Sequence, residues 1–214
     1  MQLKGTPPTL VLSASDLSSF VGCRHRTALD LGVALGELPT PPYQPQAQDF
    51  IDRGLAHEAQ YVASLASDGL TVADVRAEPD RLGATRDALT RGVDVVVQGM
   101  LAGDGWIGYP DVLRRVEVPS ALGPWSYEVH DTKLARETRG STILQLSVYS
   151  ELLAAIEGRV PEHFHVVTPD PVNGTQTFRI DDYAPREDSA RAVGRVGSES
   201  RPSPLRRVHT AIAR

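Results

Sequence analysis

Three β-rich runs occupy the middle of the chain and constrain its fold more than any other feature of the sequence. They are VDVVVQGMLA (93–102), WIGYPDVLRRVEV (106–118) and WSYEVHDTKLA (125–135). Their valines, isoleucine and aromatic residues favour strands. The glycine pair Gly103–Gly105 and the PSALGP stretch at 119–124 separate them. The runs therefore predict a meander of three antiparallel strands.

Helical patterns lie on both sides of these runs. Ser13 or Ser15 can cap a first helix that extends to about Leu31. Further helices are predicted at 46–67, 78–91 and 141–157, and further strands at 163–168 and 175–180. The second helix carries an apolar stripe of Ile51, Leu55, Val62 and Leu65, which is expected to face inward. Helices before and after a meander indicate an α/β fold, with a central mixed sheet flanked by helices.

The length of 214 residues suits one domain with a sizeable core. We expect this domain to span residues 1–180, with a helical segment over 1–92 and a core over 93–180. Residues 181–214 form a separate tail with seven Arg and three acidic residues over 186–214. The tail is interpreted either as a solvated, partly disordered end or as a segment that contacts phosphate.

Composition and charge narrow the classes of function. The net charge of −5 argues against a uniformly basic nucleic-acid coat, although carboxylates that hold metal ions are themselves acidic. Cys23 is the single cysteine, which rules out an internal disulfide. No run approaches the roughly 18 apolar residues of a membrane span, and the start lacks an apolar run of signal-peptide length. These features predict a cytoplasmic protein without membrane contact.

The run YEVHDTK contains the most informative chemistry. Alternate residues of a strand face the same side, so Asp131 and Lys133 project together. Asp111 follows Pro110 in the preceding run, and a hairpin pairing of the two strands would bring Asp111 close to Asp131. Two carboxylates and a lysine suit hydrolysis of a phosphodiester with Mg²⁺ or Mn²⁺. A D-x-K triplet by itself is more often a surface salt bridge, so this alternative stays open.

Four short motifs in order give the chain a resemblance to a known family. They are GLAHE (54–58), GYPD (108–111), EVHDTK (128–133) and QLSVY (145–149). Together the motifs resemble the PD-(D/E)xK nucleases, in the RecB-like branch with RecB and AddB nuclease domains and CRISPR-associated nucleases. The resemblance covers roughly residues 13–170. It implies a restriction-endonuclease-like core and a DNA nuclease that depends on Mg²⁺ or Mn²⁺.

The resemblance also implies roles for individual residues. Catalytic roles fall to Asp111, Asp131, Lys133, Gln145 and Tyr149. The metal would be held by His57, Asp111 and Asp131, with Glu58 as an indirect or alternative ligand. Gln145 and Tyr149 lie on one helix face and would hold Lys133 and touch the DNA backbone. Asp104 and Glu128 are interpreted as turn and opposite-face residues outside the ligand set.

Cys23 matches the first cysteine of the iron–sulfur cluster that many relatives carry. The three further cysteines of those relatives are missing from the sequence. A [4Fe–4S] cluster ordinarily needs four thiolates, so no such cluster is expected here, and Cys23 is expected to be a buried apolar residue. Either the C-terminal clasp is lost or the chain is truncated from a longer parent.

Four arginines flank the acidic positions and are candidates for phosphate contacts. They are Arg114, Arg115, Arg136 and Arg139. The alternative interpretation is that each is a solvated charge in a loop or at a strand edge. The expected partner is DNA, with a helicase or an additional nuclease subunit as a further candidate. Two other functions stay open, a non-catalytic nucleic-acid-binding or scaffold module and a small-molecule phosphohydrolase.

Overall fold

A computed structural model of the protein describes residues 1–42, 48–170, 174–183 and 212. Within these residues the chain is α/β, with five α-helices and two mixed β-sheets. The helices are α1 (Ala14–Gly22), α2 (Arg24–Ala34), α3 (Gln48–Ser67), α4 (Arg81–Thr90) and α5 (Gly140–Glu157). The strands are β1 (Gln2–Lys4), β2 (Thr9–Ser13), β3 (Val72–Asp74), β4 (Val95–Val97), β5 (Leu101–Gly103), β6 (Trp106–Gly108), β7 (Val112–Val116), β8 (Ser126–Thr132), β9 (His163–Val167) and β10 (Thr175–Arg179).

The α/β class is confirmed, but the single central sheet becomes two sheets. One has four strands in the order β1-β2-β6-β5, and the other has six in the order β10-β9-β8-β7-β4-β3. In the six-stranded sheet β7 is antiparallel to both β4 and β8, while β8 is parallel to β9. The predicted strands near 163–168 and 175–180 are confirmed as β9 and β10.

The predicted meander is interrupted, because β5 and β6 form a hairpin in the other sheet. The chain leaves the six-stranded sheet after Val97, where Gln98 adopts a left-handed φ of 54°. It returns after Pro110, which lacks the N–H that would continue a strand ladder. The run at 106–118 is therefore two strands in different sheets and not one continuous strand.

The first helix is shorter than predicted. Ser13 precedes α1, and the Asp16 carboxylate accepts hydrogen bonds from the backbone N–H and the hydroxyl of Ser13 at 2.7 and 2.8 Å. The helix ends at Gly22, a poor helix former, and Cys23 is extended with φ −160° and ψ 106°. A second helix, α2, then starts at Arg24, so the helix expected to reach Leu31 is broken in two.

Only the second half of α3 lies over the six-stranded sheet. Leu65 is buried there against Val95, Val97 and Val112. The predicted inward stripe is wrong at Ile51 and Leu55, which are 46% and 47% exposed. The helix predicted at 78–91 is observed as the shorter α4.

Helix α5 is central to the core, and its predicted bounds are confirmed within one residue. Leu146 and Leu153 are fully buried, and the helix ends at Gly158 with the left-handed φ of 68° that favours glycine at this position. Gly108 on β6 allows close approach, since a Cβ there would lie 2.6 Å from Tyr149 Cδ1. This close approach brings α5 against β6, the strand that directly precedes the GYPD aspartate.

None of the described helices combines the length and the apolar composition that a membrane-spanning helix needs. Of the tail at 181–214, only residues 181–183 and 212 are among those described. Ile212 is buried in the main core. The seven tail arginines and their expected phosphate contacts lie outside the described residues.

Candidate active site

Asp111 and Asp131 lie at one end of the six-stranded sheet, on neighbouring strands. Strands β7 and β8 are antiparallel, with Val112 opposite His130. The next residues along the two chains, Asp111 and Asp131, therefore lie opposite each other at the end of the sheet. The Asp111 Oδ2 atom accepts hydrogen bonds from the backbone N–H and the hydroxyl of Thr132, both at 2.8 Å. The adjacency of the GYPD and EVHDTK segments is therefore confirmed.

The Asp131 carboxylate is almost completely buried, with 1% of the residue exposed. The Lys133 Nζ atom contacts its Oδ2 atom, whereas Oδ1 has no hydrogen-bond partner among the described residues. The pKa of Asp131 is raised to about 7, chiefly by burial and secondly by the negative charge of Asp111, while Lys133 opposes both effects. A buried acceptor without a partner is costly and rare in folded proteins, so this oxygen is available to a ligand.

A third carboxylate, Glu58 of α3, reaches the same end of the sheet. Gln98 Nε2 donates to Glu58 Oε2 at 3.0 Å and to Asp111 Oδ1 at 3.4 Å, which links the two acids. Arg76 donates to the other oxygen, Glu58 Oε1, at 2.8 Å. Burial is the main cause that raises the pKa of Glu58, and the charge of Asp111 adds to it. Three carboxylates thus influence one another at this point.

His57 does not join this group. Its Nε2 atom donates to the carbonyl oxygen of Val167 at 3.1 Å. Among the described residues, no three His, Cys, Asp or Glu side chains form a group that could hold a metal ion. The expected set of His57, Asp111 and Asp131 is therefore not assembled. Successive helix residues point about 100° apart, and it is Glu58 that turns toward Asp111; the metal role of His57 stays a prediction.

Lys133, Gln145 and Tyr149 line one cleft with a volume of about 940 Å³. Gln145 Nε2 donates to the Tyr149 hydroxyl at 3.0 Å, so Gln145 contacts Tyr149 and not Lys133 as expected. Burial raises the pKa of Tyr149 to about 12, against the lowering effect of the Gln145 hydrogen bond. The pairing of Gln145 and Tyr149 on one face of α5 is confirmed.

The lining of the cleft also includes residues that the motifs did not indicate. Ser15 and Ser18 of α1 and Phe50 and Arg53 of α3 line it. Phe50 is 68% exposed, which is unusual for a large aromatic side chain. Arg53 lies one residue before the GLAHE motif, and this proximity is the signal that could have identified it from the sequence.

The four arginines that the sequence predicts as phosphate contacts do not lie at one location. Arg139 lines the cleft, whereas Arg114, Arg115 and Arg136 are not among its lining residues. Arg115 donates to Glu117 at 2.7 Å and to the Gly92 carbonyl at 2.7 Å, far along β7 from Asp111. These contacts correct the expected position of Arg115 beside the acids.

The other polar cluster of the sheet lies on the opposite side of β8. Glu128 accepts hydrogen bonds from His165 Nε2 at 2.9 Å and from the His163 backbone N–H at 3.1 Å. The His130 ring stacks on His165 at 4.1 Å and contacts the Tyr61 hydroxyl at 2.8 Å. Burial raises the pKa of Tyr61 and lowers the pKa of His130. The positive charge of Arg114, on the neighbouring strand, acts to lower both pKa values. Glu128 is thus an opposite-face residue, as predicted.

Cys23 is exposed, which corrects the expectation of a buried apolar residue. It lies at the break between α1 and α2, where the backbone is extended. The first helix predicted from the sequence, which was expected to reach about Leu31, did not anticipate this break, because the apolar spacing of residues 17–31 is compatible with one continuous helix.

Comparison with known proteins adds no assignment. The chain matches no protein-family model. It also matches no curated protein and no solved structure. The resemblance to PD-(D/E)xK nucleases therefore stays a prediction based on the four motifs.

Proposed function

We propose that the protein is a divalent-metal-dependent nuclease with a restriction-endonuclease-like core that hydrolyses phosphodiester bonds of DNA. One observation carries this proposal. Asp131 is buried with an unpartnered Oδ1 atom, next to Asp111 on the neighbouring strand and in contact with Lys133. A module that only binds nucleic acid has no use for such an acid–lysine cluster, because a buried charge is costly.

The chemistry of the two aspartates fits Mg²⁺ or Mn²⁺. Carboxylate oxygens are the ligands that these hard cations prefer. Mg²⁺ is commonly bound by one or two carboxylates, with waters and substrate phosphates completing its shell. Two aspartates are therefore sufficient, although no three-residue group is found among the described residues. When bound, the cation would neutralise phosphate charge and lower the pKa of a bound water.

The chain's own residues supply the other requirements of hydrolysis. The Lys133 side chain is 32% exposed, so its ammonium is accessible from the cleft while it contacts Asp131. There it orients the attacking water and offsets the negative charge that develops on the phosphate. Tyr149 is protonated at neutral pH, as any tyrosine is, and burial raises its pKa further, to about 12. Its hydroxyl accepts from Gln145 and keeps its own proton for a phosphate oxygen.

Positive charge at the cleft supports a polyanionic substrate. Arg53, Lys133 and Arg139 line the cleft together with one acidic residue, Glu137, and cationic side chains contribute most of the affinity for a phosphate backbone. The overall charge of −5 does not oppose this, since these cations form a local patch.

The test measures cleavage of single-stranded and duplex DNA by the purified full chain with Mn²⁺, Mg²⁺ or a chelator. We expect cleavage that needs the metal, and a loss of roughly 100-fold or more in Asp131→Ala and Lys133→Ala. Asp181→Ala is the matched control, because the Asp181 side chain is 84% exposed. Unchanged cleavage by both site variants refutes the proposal.

The non-catalytic module is the second candidate, and the lack of a three-residue metal group among the described residues favours it. It predicts DNA binding that weakens steeply with salt but no turnover with any divalent cation. Salt-sensitive binding by the wild type without cleavage would therefore select this candidate over the nuclease.

A further inference from the structure

Gln98 has an unusual backbone conformation beside the candidate active site. Among the described residues only Gln98 and Asp104 are non-glycine residues with positive φ, at 54° and 50°. Aspartate, asparagine and glycine tolerate this region well, whereas glutamine is not favoured there. Such a conformation persists where the surrounding contacts determine it, and these positions cluster at functional sites. The contacts of Gln98 therefore need an explanation.

The Gln98 side chain joins two carboxylates from different parts of the fold. Its Nε2 atom donates to Glu58 Oε2 at 3.0 Å and to Asp111 Oδ1 at 3.4 Å. Its backbone N–H donates to the carbonyl oxygen of Asp111 at 2.7 Å. One residue thus holds Asp111 through both its backbone and its side chain, and connects it to α3.

Arg81 determines which way the Gln98 amide faces. Arg81 donates from Nε to the Gln98 carbonyl oxygen at 2.5 Å and from its guanidinium to Gln98 Oε1 at 3.0 Å. Arginine has only donors, so the amide oxygen must face Arg81 and the amide nitrogen must face the two acids. The Arg81 guanidinium in turn lies 4.7 Å from the centre of the Tyr109 ring. Arg81 therefore contacts both Gln98 and the GYPD segment.

We propose that Gln98 is a positioning residue that holds the Asp111 carboxylate, with Glu58 beside it, toward the divalent cation that Asp111 and Asp131 would hold. The inference rests on the proposed function, which supplies the cation. An amide suits this task because it donates to both acids without adding charge. A lysine or arginine in the same position would neutralise the acids and compete with the cation. Residues that orient metal ligands in this way typically change metal affinity by 10- to 100-fold when they are replaced.

The test uses substitutions that remove or shorten the Gln98 side-chain amide and that also suit the positive φ of this position. Gln98→Gly removes the side chain and suits the positive φ, and Gln98→Asn keeps a shorter amide in a residue type that tolerates it. Asp104→Gly is the matched control, since it relieves the other positive φ at the turn between β5 and β6. Each protein is measured for Mn²⁺ affinity by calorimetry without DNA, and for its unfolding temperature in chelator.

We expect Gln98→Gly to lose roughly 10-fold or more in Mn²⁺ affinity and to keep a cooperative unfolding transition in chelator. Gln98→Asn should lie between Gln98→Gly and the wild type, and Asp104→Gly should bind Mn²⁺ like the wild type. Arg81→Met leaves Gln98 in place but frees its amide, and should weaken Mn²⁺ binding in the same direction. In cleavage assays the defect of Gln98→Gly should shrink as Mn²⁺ is raised, which a general loss of folding would not produce.

Two failures of this test are distinguishable. A wild type that binds no Mn²⁺ overturns the proposed function, and with it the role of Gln98. If the wild type binds Mn²⁺ and both Gln98→Gly and Gln98→Asn bind it with the wild-type affinity, the positioning role alone is overturned.

Discussion

Replacement of Asp131 by asparagine removes the charge at a buried position with little change in shape. The pKa of Asp131 rises from its ordinary value of 3.8 to about 7, chiefly through burial and secondly through Asp111. The folded protein therefore holds this proton more tightly than the unfolded chain. At pH above 7 the side chain is charged in both states and its burial destabilises the fold. As the pH falls toward 4 this cost disappears, and in Asp131→Asn it is absent at every pH.

The size of the effect follows from the two pKa values. Their difference corresponds to roughly 4 kcal/mol of destabilisation at pH 8, and to roughly 2 kcal/mol at pH 5, where the unfolded chain is ionised but the folded protein is not. The advantage of Asp131→Asn over the wild type should therefore grow by roughly 2–3 kcal/mol between pH 5 and pH 8. For a chain of this length that is roughly 5–10 °C in the unfolding midpoint.

The assay is denaturant unfolding of both proteins in chelator at pH 5, 6, 7 and 8. The asparagine amide introduces contacts of its own, but these give an offset that does not vary with pH. Only the slope of the difference against pH reports the charge of Asp131. Asp181→Asn, at an exposed position, is the control and should give no slope. A flat difference, or an advantage that shrinks as pH rises, would refute the account of Asp131 as a buried acid of raised pKa.

Three further predictions concern α5. Burial raises the pKa of Glu157 to about 7, so Glu157→Gln should gain roughly 2 kcal/mol over the wild type between pH 5 and pH 8, measured by urea unfolding. Gly108→Ala puts a Cβ 2.6 Å from Tyr149 Cδ1, and should lower the unfolding free energy by roughly 1–3 kcal/mol. Tyr149→Phe keeps the packing and loses the hydroxyl, so DNA cleavage should fall while Mn²⁺ affinity stays unchanged.

Each of these has its own control or contrary result. For Glu157→Gln, an advantage that is the same at both pH values would show that the carboxylate is not buried as a charge. Gly140→Ala is the control for Gly108→Ala, because a Cβ at Gly140 has no heavy atom within 4 Å, and equal stability of the two variants would contradict the predicted clash. Wild-type cleavage by Tyr149→Phe would remove the hydroxyl from the proposed chemistry.

Local patterns in the sequence were sufficient for several elements. Helix α5 is predicted at 141–157 and observed at Gly140–Glu157, because a long apolar segment ends at Gly158 with its left-handed conformation. The pairing of the Asp111 and Asp131 segments is also predictable, since consecutive β-rich runs with a short connection favour an antiparallel pair. Strand alternation then puts Asp131 and Lys133 on one side, in agreement with their contact.

The partners of the site were decided only by the tertiary structure. Gln98 meets Glu58 across 40 residues of sequence, and His57 meets Val167 across 110. Periodicity in a helix shows which residues share a face but not how the helix is rotated against a distant strand. Neither the inward turn of Glu58 nor the outward position of Ile51 could therefore be read from the sequence.

The division of the strands between two sheets has the same origin. Short strands such as β2 and β6 have weak local signals and gain their identity from pairing with each other across 94 residues, as between Leu12 and Trp106. The sequence by itself determined the helix and strand types of the longer elements and the adjacency of Asp111 and Asp131. The tertiary structure decided which side chains surround these two acids, because that depends on long-range packing that no local pattern specifies.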